Sequence, residues 1–227
     1  MSYLEKKNTV PSANQVKKPI FFEGCPNGSP RVMFVGNSVT YHGIKEDIGW
    51  YGSWGMAASK KDKDYVHLIM KHILDKYPDA SFCIVQASCW ERNYKNCDYD
   101  EHFSLAKDFV PDVIICNVSA NIPMSEFDKD AFKEGLKNLY GYFCKDNKEV
   151  KIFQGTSIFN NDAKTQAIVE FGKENNVTVV DVSEVSKDKS SLAYDEFEHE
   201  GIQVHPGEKG MALLAELFIE KLAELKF

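Results

Sequence analysis

Three short segments hold residue types that together can run nucleophilic chemistry: Gly36-Asn37-Ser38, Ser119-Ala120-Asn121 and His205-Pro206-Gly207. A serine hydroxyl is inert alone and becomes a nucleophile only with a base within hydrogen-bond reach. Histidine suits that task because its ordinary pKa lies near neutrality. An asparagine amide can donate an N–H to negative charge developing on a carbonyl oxygen, which is worth about 3–4 kcal/mol when the donor is in place. Each residue type also has a quieter use. Asn and Ser after a glycine commonly cap a turn, and a loop asparagine often bonds its own backbone. Lone histidines are usually surface residues. His67 and His72 fall within a helical pattern and read as structural, while His42, close behind Ser38, is a weaker rival to His205.

Such side chains can meet only if the fold delivers them to one place. Arg31–Gly36, Ser81–Gln86, 112–117, 150–155 and 176–181 are short apolar runs bounded by polar or turn residues, the pattern of strands buried on both faces. Between and after them, 63–77, 128–144, 161–175 and 207–225 carry apolar residues at helical spacing. Alternating strands and helices predict βαβ units and an α/β fold: a three-layer α/β/α sandwich, flavodoxin-like, with about five parallel strands and helices on both faces. Pro19-Ile20-Phe21-Phe22 can add a short edge strand ahead of the turn-rich Cys25–Pro30 segment. Residues 1–17 are polar and aperiodic, as expected of a flexible arm, and 18–227 read as one domain. In open α/β sheets, ligands bind beyond the carboxyl ends of the strands. Ser38 follows the first run and Asn121 the third, and His205 stands at the entry of the last helix, where Pro206 and Gly207 turn the chain.

Composition narrows the function classes. The formal net charge of −7 on 227 residues argues against nucleic-acid binding and against attraction to anionic membranes. No apolar run is long enough to span a bilayer, and the first twenty residues lack the apolar core of a secretion signal. The six cysteines form no CxxC pair and no zinc-type spacing with histidine; Cys83 and Cys116 sit inside apolar strands as small buried groups. A reducing cytoplasm with free thiols is therefore expected, with no metal and no organic cofactor. No GxGxxG phosphate loop supports a nucleotide or flavin binder.

Taken together, the three segments resemble the SGNH (GDSL-like) hydrolase superfamily. That family has a nucleophilic Ser in an N-terminal G-D/N-S block, an Asn in a G-x-N block and a His near the C-terminus. Here Asn37 stands where many members carry Asp, and Ser119 replaces the usual Gly. The stretch from Gly36 to Leu68, with Ile48-Gly49-Trp50 and Trp54-Gly55-Met56-Ala57-Ala58-Ser59, is similar to a largely uncharacterised subgroup. The resemblance implies a serine esterase: Ser38 as nucleophile, His205 as general base, and an oxyanion hole built from Ser38, Ser88 and Asn121. It implies a small O-acyl ester as substrate, with O-acetyl groups on carbohydrate first and lipid or short-chain esters next.

Two departures from the family pattern bear on the mechanism. The block-two glycine is missing from Gln86-Ala87-Ser88-Cys89-Trp90-Glu91, so the backbone N–H of Ser88 or Ala87 would have to serve, with Ser88 preferred. The acid expected three residues before the histidine is Ile202. Glu200 is then the first candidate to orient His205; Gln203 or a backbone carbonyl, and a more distant Glu91 or Asp195, are the others. Removing the acid of a serine-protease triad costs about 10⁴ in rate, so a dyad needs some other group to hold the ring. These departures also fit a different reading, a binding module that kept the fold and lost activity. Asn37, Trp50, Trp54 and Trp90 are candidates for substrate contact, although the three rings serve equally well as covers for the core.

Overall fold

The computed structural model describes residues 20–227 apart from Asp146, Asn160 and 225–227. The expected arm, 1–17, lies outside the described residues, as does Pro19. In chain order the elements are β1 (Ile20–Gly24), β2 (Arg31–Gly36), α1 (Tyr65–Leu74), β3 (Ser81–Gln86), α2 (Ser88–Asn93), α3 (Tyr99–Phe103), β4 (Val113–Asn117), α4 (Lys129–Cys144), β5 (Lys151–Gly155), α5 (Asp162–Asn175), β6 (Thr178–Val180), α6 (Glu184–Lys187), α7 (Glu200–Gln203) and α8 (Glu208–Leu222), with single 3₁₀ turns between some of them.

One mixed sheet runs in the order β1-β3-β2-β4-β5-β6. Five strands are parallel, and β1 pairs antiparallel with β3 at the edge. The edge strand expected around Phe21 is thus present. The alternation of side chains along each central strand divides the core in two. Met33, Val35, Cys83, Val85, Ile114 and Cys116 face the layer of α2 to α5, where Trp90, Phe132, Leu136 and Phe171 pack. Val32, Phe34, Phe82, Ile84, Val113 and Ile115 face α1 and α8, against Ile69, Met211, Leu214 and Phe218. Both faces of the sheet are covered, which gives the α/β/α layering. The described cysteines are free, and Cys83 and Cys116 are buried in the sheet. No described helix is long and apolar enough to cross a membrane.

The register fixes the site. Gly36 pairs with Gln86 on one side and Asn117 on the other, so β2, β3 and β4 end level. From β2 the chain moves toward β3, and from β4 it moves toward β5. The strand order therefore reverses between β2 and β4, which is where an open α/β sheet opens a crevice. The segments carrying Ser38, Ser88 and Asn121 leave the sheet along this edge.

Candidate active site

The turn after β2 is built around Asn37. Its carbonyl accepts the Thr40 and Tyr41 N–H groups, each at 3.0 Å, and its Oδ1 accepts the Val39 N–H at 3.1 Å. The turn-capping task falls to Asn37, and the Ser38 side chain is released from it. Gly36 is required here because a Cβ would run into Thr40 Oγ1 and lie 3.0 Å from the Asn117 carbonyl. Asn37 is buried and committed to the protein, so it is not available to touch substrate.

Ser38 Oγ lies 2.7 Å from His205 Nε2. The histidine is held by its backbone. Its N–H donates to Ile202 O at 2.9 Å, and its carbonyl accepts the Ala193 N–H at 3.0 Å. The Gly207 N–H reaches Ser191 O at 3.0 Å, which pins the turn into α8. The ring is buried and meets Phe159 edge-on, with centroids 6.4 Å apart. Burial is the largest influence on its pKa and brings it down to about 4, with the nearby His42 acting the same way; the backbone of Gly201 and Ile202 pushes upward by less. The imidazole is accordingly neutral at pH 7, as a base must be.

The other ring nitrogen, Nδ1, is buried without a well-formed hydrogen bond. For Nε2 to accept the Ser38 proton, Nδ1 must carry the ring hydrogen. Glu200 does not supply the acceptor: it is exposed in the first turn of α7. Asp195 is exposed as well, and the Gln203 amide is spent on Phe197 O at 2.7 Å. The four-residue α7 turns the Glu200 side chain to solvent while burying Ile202 at the position the family pattern gives to an acid. No carboxylate among the described residues bonds to His205.

The β3 end also differs from expectation. The Ser88 N–H donates to Gln86 Oε1 at 3.0 Å and is occupied. The Gln86 amide then donates through Nε2 to Ser88 Oγ at 2.8 Å, which leaves the Ser88 hydroxyl hydrogen free to point elsewhere. Asn121 Nδ2 lies 3.5 Å from the same oxygen.

Behind these groups lies Glu91, which is 1% exposed. It accepts from Asn37 Nδ2 at 3.0 Å, from the Ser119 N–H at 2.5 Å and from Asn121 Nδ2 at 2.5 Å. It is therefore committed away from His205. Ser119 adopts a φ of 125°, a region that favours glycine. Lys164, in the first turn of α5, is buried too and donates to the carbonyls of Ser119 at 2.9 Å and Ile122 at 2.6 Å. The sequence gives no sign of Lys164 or Phe159 as site neighbours, since a lysine at a helix start reads as a surface residue.

The aromatic candidates separate. Trp90 is fully buried among Tyr94 and Phe132 in the α2 to α4 layer and is out of reach of any ligand. Trp50 is 3% exposed, packs on Trp54 and Phe197, and donates to His42 O at 3.3 Å. Trp54 is half-buried and donates to Ala58 O at 2.8 Å. These two rings shape the loop after Ser38 more than they face solvent. Among the described residues, no three His, Cys, Asp or Glu side chains gather as a metal site would require.

No family model matches the chain, and no curated protein matches it. Solved structures do. A two-domain esterase active on acetylated mannans, crystallised with mannopentaose, matches with a TM-score of 0.55 at 16% identity, over 87% of this chain and 51% of that one. The chain thus spans about half the length of that esterase. A member of the lipolytic G-D-S-L family from Veillonella parvula matches with a TM-score of 0.52 at 12% identity, over 86% and 99% of the two chains. A psychrotrophic esterase from Pseudoalteromonas, in a structure inhibited by monoethylphosphonate, matches with a TM-score of 0.57 at 9% identity, over 86% and 98%. At these identities the likeness is one of fold: the chain has the fold of the SGNH (GDSL-like) hydrolases.

Proposed function

We propose that this protein is a serine esterase that hydrolyses small O-acyl esters through an acyl-enzyme on Ser38. One observation carries the reading: the 2.7 Å contact between Ser38 Oγ and a buried, neutral His205. His205 Nε2 takes the hydroxyl proton as Ser38 Oγ bonds to the ester carbonyl carbon. The tetrahedral oxyanion is met by the Ser38 N–H, the Asn121 side-chain N–H and the Ser88 hydroxyl, the last taking the part that a glycine N–H plays in the family pattern. Collapse breaks the bond to the leaving alcohol, which receives its proton from His205. Water, deprotonated by the same nitrogen, then releases the acid and restores Ser38.

The base works as part of a dyad, held by backbone bonds and by packing against Phe159 in place of a carboxylate. Acetyl groups on carbohydrate are the substrate class we favour, in keeping with the acetylated mannans on which the two-domain esterase acts. The lack of a well-formed hydrogen bond at Nδ1 favours a second reading, a binding module with impaired chemistry. A fluorophosphonate probe separates the two. A stoichiometric adduct mapped to Ser38, with turnover of p-nitrophenyl acetate that Ser38→Ala abolishes, is the expected result. No adduct, and equal slow turnover by both proteins, would leave only the binding reading.

A further inference from the structure

Glu91 is a carboxyl group buried one layer behind Ser38, and the dyad does not use it. It takes three N–H donors, from Asn37, Ser119 and Asn121, and so ties the loops after β2 and β4 to the helix after β3. Lys164 answers it from α5. Its ammonium holds the carbonyls of Ser119 and Ile122, which bracket Asn121 in the chain. Burial pushes the Lys164 pKa down, and the charge of Glu91 works against that fall.

An asparagine amide has two unlike ends. A turn of 180° about its last bond exchanges N–H donors for a carbonyl oxygen at almost no steric cost. In an oxyanion hole that exchange replaces attraction by repulsion. Something must therefore choose the end that faces the reaction. A carboxylate only accepts, so Glu91 Oε2 at 2.5 Å admits the nitrogen of Asn121 and excludes its oxygen. The second N–H on that nitrogen is then left on the side of Ser88 Oγ, 3.5 Å away. The same carboxyl selects the Nδ2 end of Asn37 and leaves Oδ1 for the Val39 N–H in the nucleophile turn.

We infer that Glu91 is a positioning residue that fixes the donor face of Asn121 toward the oxyanion, with Lys164 holding the loop that presents it. This rests on the esterase reading above. Glu91→Gln keeps the size of the side chain but offers Asn121 an N–H or an oxygen indifferently. Kinetics on p-nitrophenyl acetate should show kcat reduced about 10²-fold, the cost of one lost oxyanion donor, with KM within about twofold. The double variant Glu91→Gln/Asn121→Ala should be slower than Asn121→Ala by far less than the loss Glu91→Gln causes alone, because Glu91 acts chiefly through that amide, its bonds to Asn37 and Ser119 supplying the small remainder. Losses that multiply in the double variant, or an unchanged kcat in Glu91→Gln, would overturn the inference.

A measurement on the wild type guards against a variant that fails to fold. In a ¹⁵N-labelled sample, the Asn121 side-chain resonances, identified by their absence in Asn121→Ala, should include one proton shifted far downfield and slow to exchange with water. Two ordinary, rapidly exchanging protons would refute the fixed orientation whether or not the protein cleaves esters. Absence of wild-type turnover with that downfield proton present would instead count against the esterase reading alone.

Discussion

Ser38 and His205 meet without a carboxylate behind the imidazole, and that fact sets the pH behaviour. Burial, reinforced by His42, depresses His205 to about 4. His42 is itself lowered by burial and by Lys45, so the two rings do not face each other as cations near neutrality. In the proposed dyad the working form of His205 is the neutral one, so activity would be lost only as pH falls through its depressed pKa. The acid limb of kcat/KM should therefore lie near pH 4. At pH 5.5 the rate should stay within about twofold of that at pH 7.5, where a histidine of ordinary pKa would have lost about tenfold. A limb near 6.5 in a pH–rate profile would mean that something stabilises the imidazolium. The pairing of Ser38 with His205 was legible in the sequence because Gly36-Asn37-Ser38 and His205-Pro206-Gly207 mark turns at the ends of recognisable elements. Glu91 and Lys164 were not legible in these roles. Charged side chains read as solvated until three loops are seen to close over them, and the exposure of Glu200 depends on one short turn of helix.

Among the elements, β1 and α1 are joined by an ionic link distant in role from the dyad. Asp64 caps α1 through the His67 N–H at 2.8 Å and accepts the Gly55 N–H at 2.9 Å. The His67 ring spans Asp64 at 2.7 Å and Glu23 of the edge strand at 3.4 Å. Burial alone would lower the pKa of His67, but its hydrogen bonds to Asp64 and Glu23, and their charges, carry it up to about 9. The folded state thus holds a proton that the unfolded chain gives up at 6.5. The stabilisation is fully present below 6.5 and is lost as pH rises through 9. His67→Ala should cost about 2–3 kcal/mol at pH 7 and less than half of that at pH 10. Thermal melts of both proteins at the two pH values test this, and an equal gap at both would remove the ionic account. Arg31–Gly36 and Ser81–Gln86 are recovered to the residue, because a buried parallel strand is an apolar run with polar ends. The last strand shrinks to Thr178–Val180 because Asn176 adopts a left-handed φ of 54° and caps α5, and the Val177 N–H goes back to Gly172 O. The short helices α2 and α3 escape detection, being too brief to show a period; burial of Trp90 and Phe103 defines them instead.

At the scale of the whole molecule, the level strand ends and the reversal between β2 and β4 follow from strand order, which the run of strands and helices implied without giving its register. Charge is the other molecular property the sequence supplied, and the fold concentrates some of it near the site. Asp47, Glu196 and Glu198, with Ile48, Phe197 and His199, line an open cleft of about 470 Å³. Phe197 packs on Trp50, whose indole N–H donates to His42 O, and His42 in turn acts on His205. Were this cleft the approach to Ser38 in the proposed esterase, an ester would pass these carboxylates on a chain whose net charge is −7. Such a field lowers the local concentration of anionic ligands and is screened by salt. p-Nitrophenyl acetate should accordingly be hydrolysed with higher kcat/KM than the anionic p-nitrophenyl hemisuccinate. The preference should fall at least severalfold between roughly 0.01 M and 1 M salt, as the Debye length shrinks from about 30 Å to about 3 Å. Intrinsic differences in acyl reactivity do not depend on salt in this way, so the change in the ratio isolates the field of the protein. A ratio constant across that range would mean that substrates reach Ser38 by a path these carboxylates do not guard.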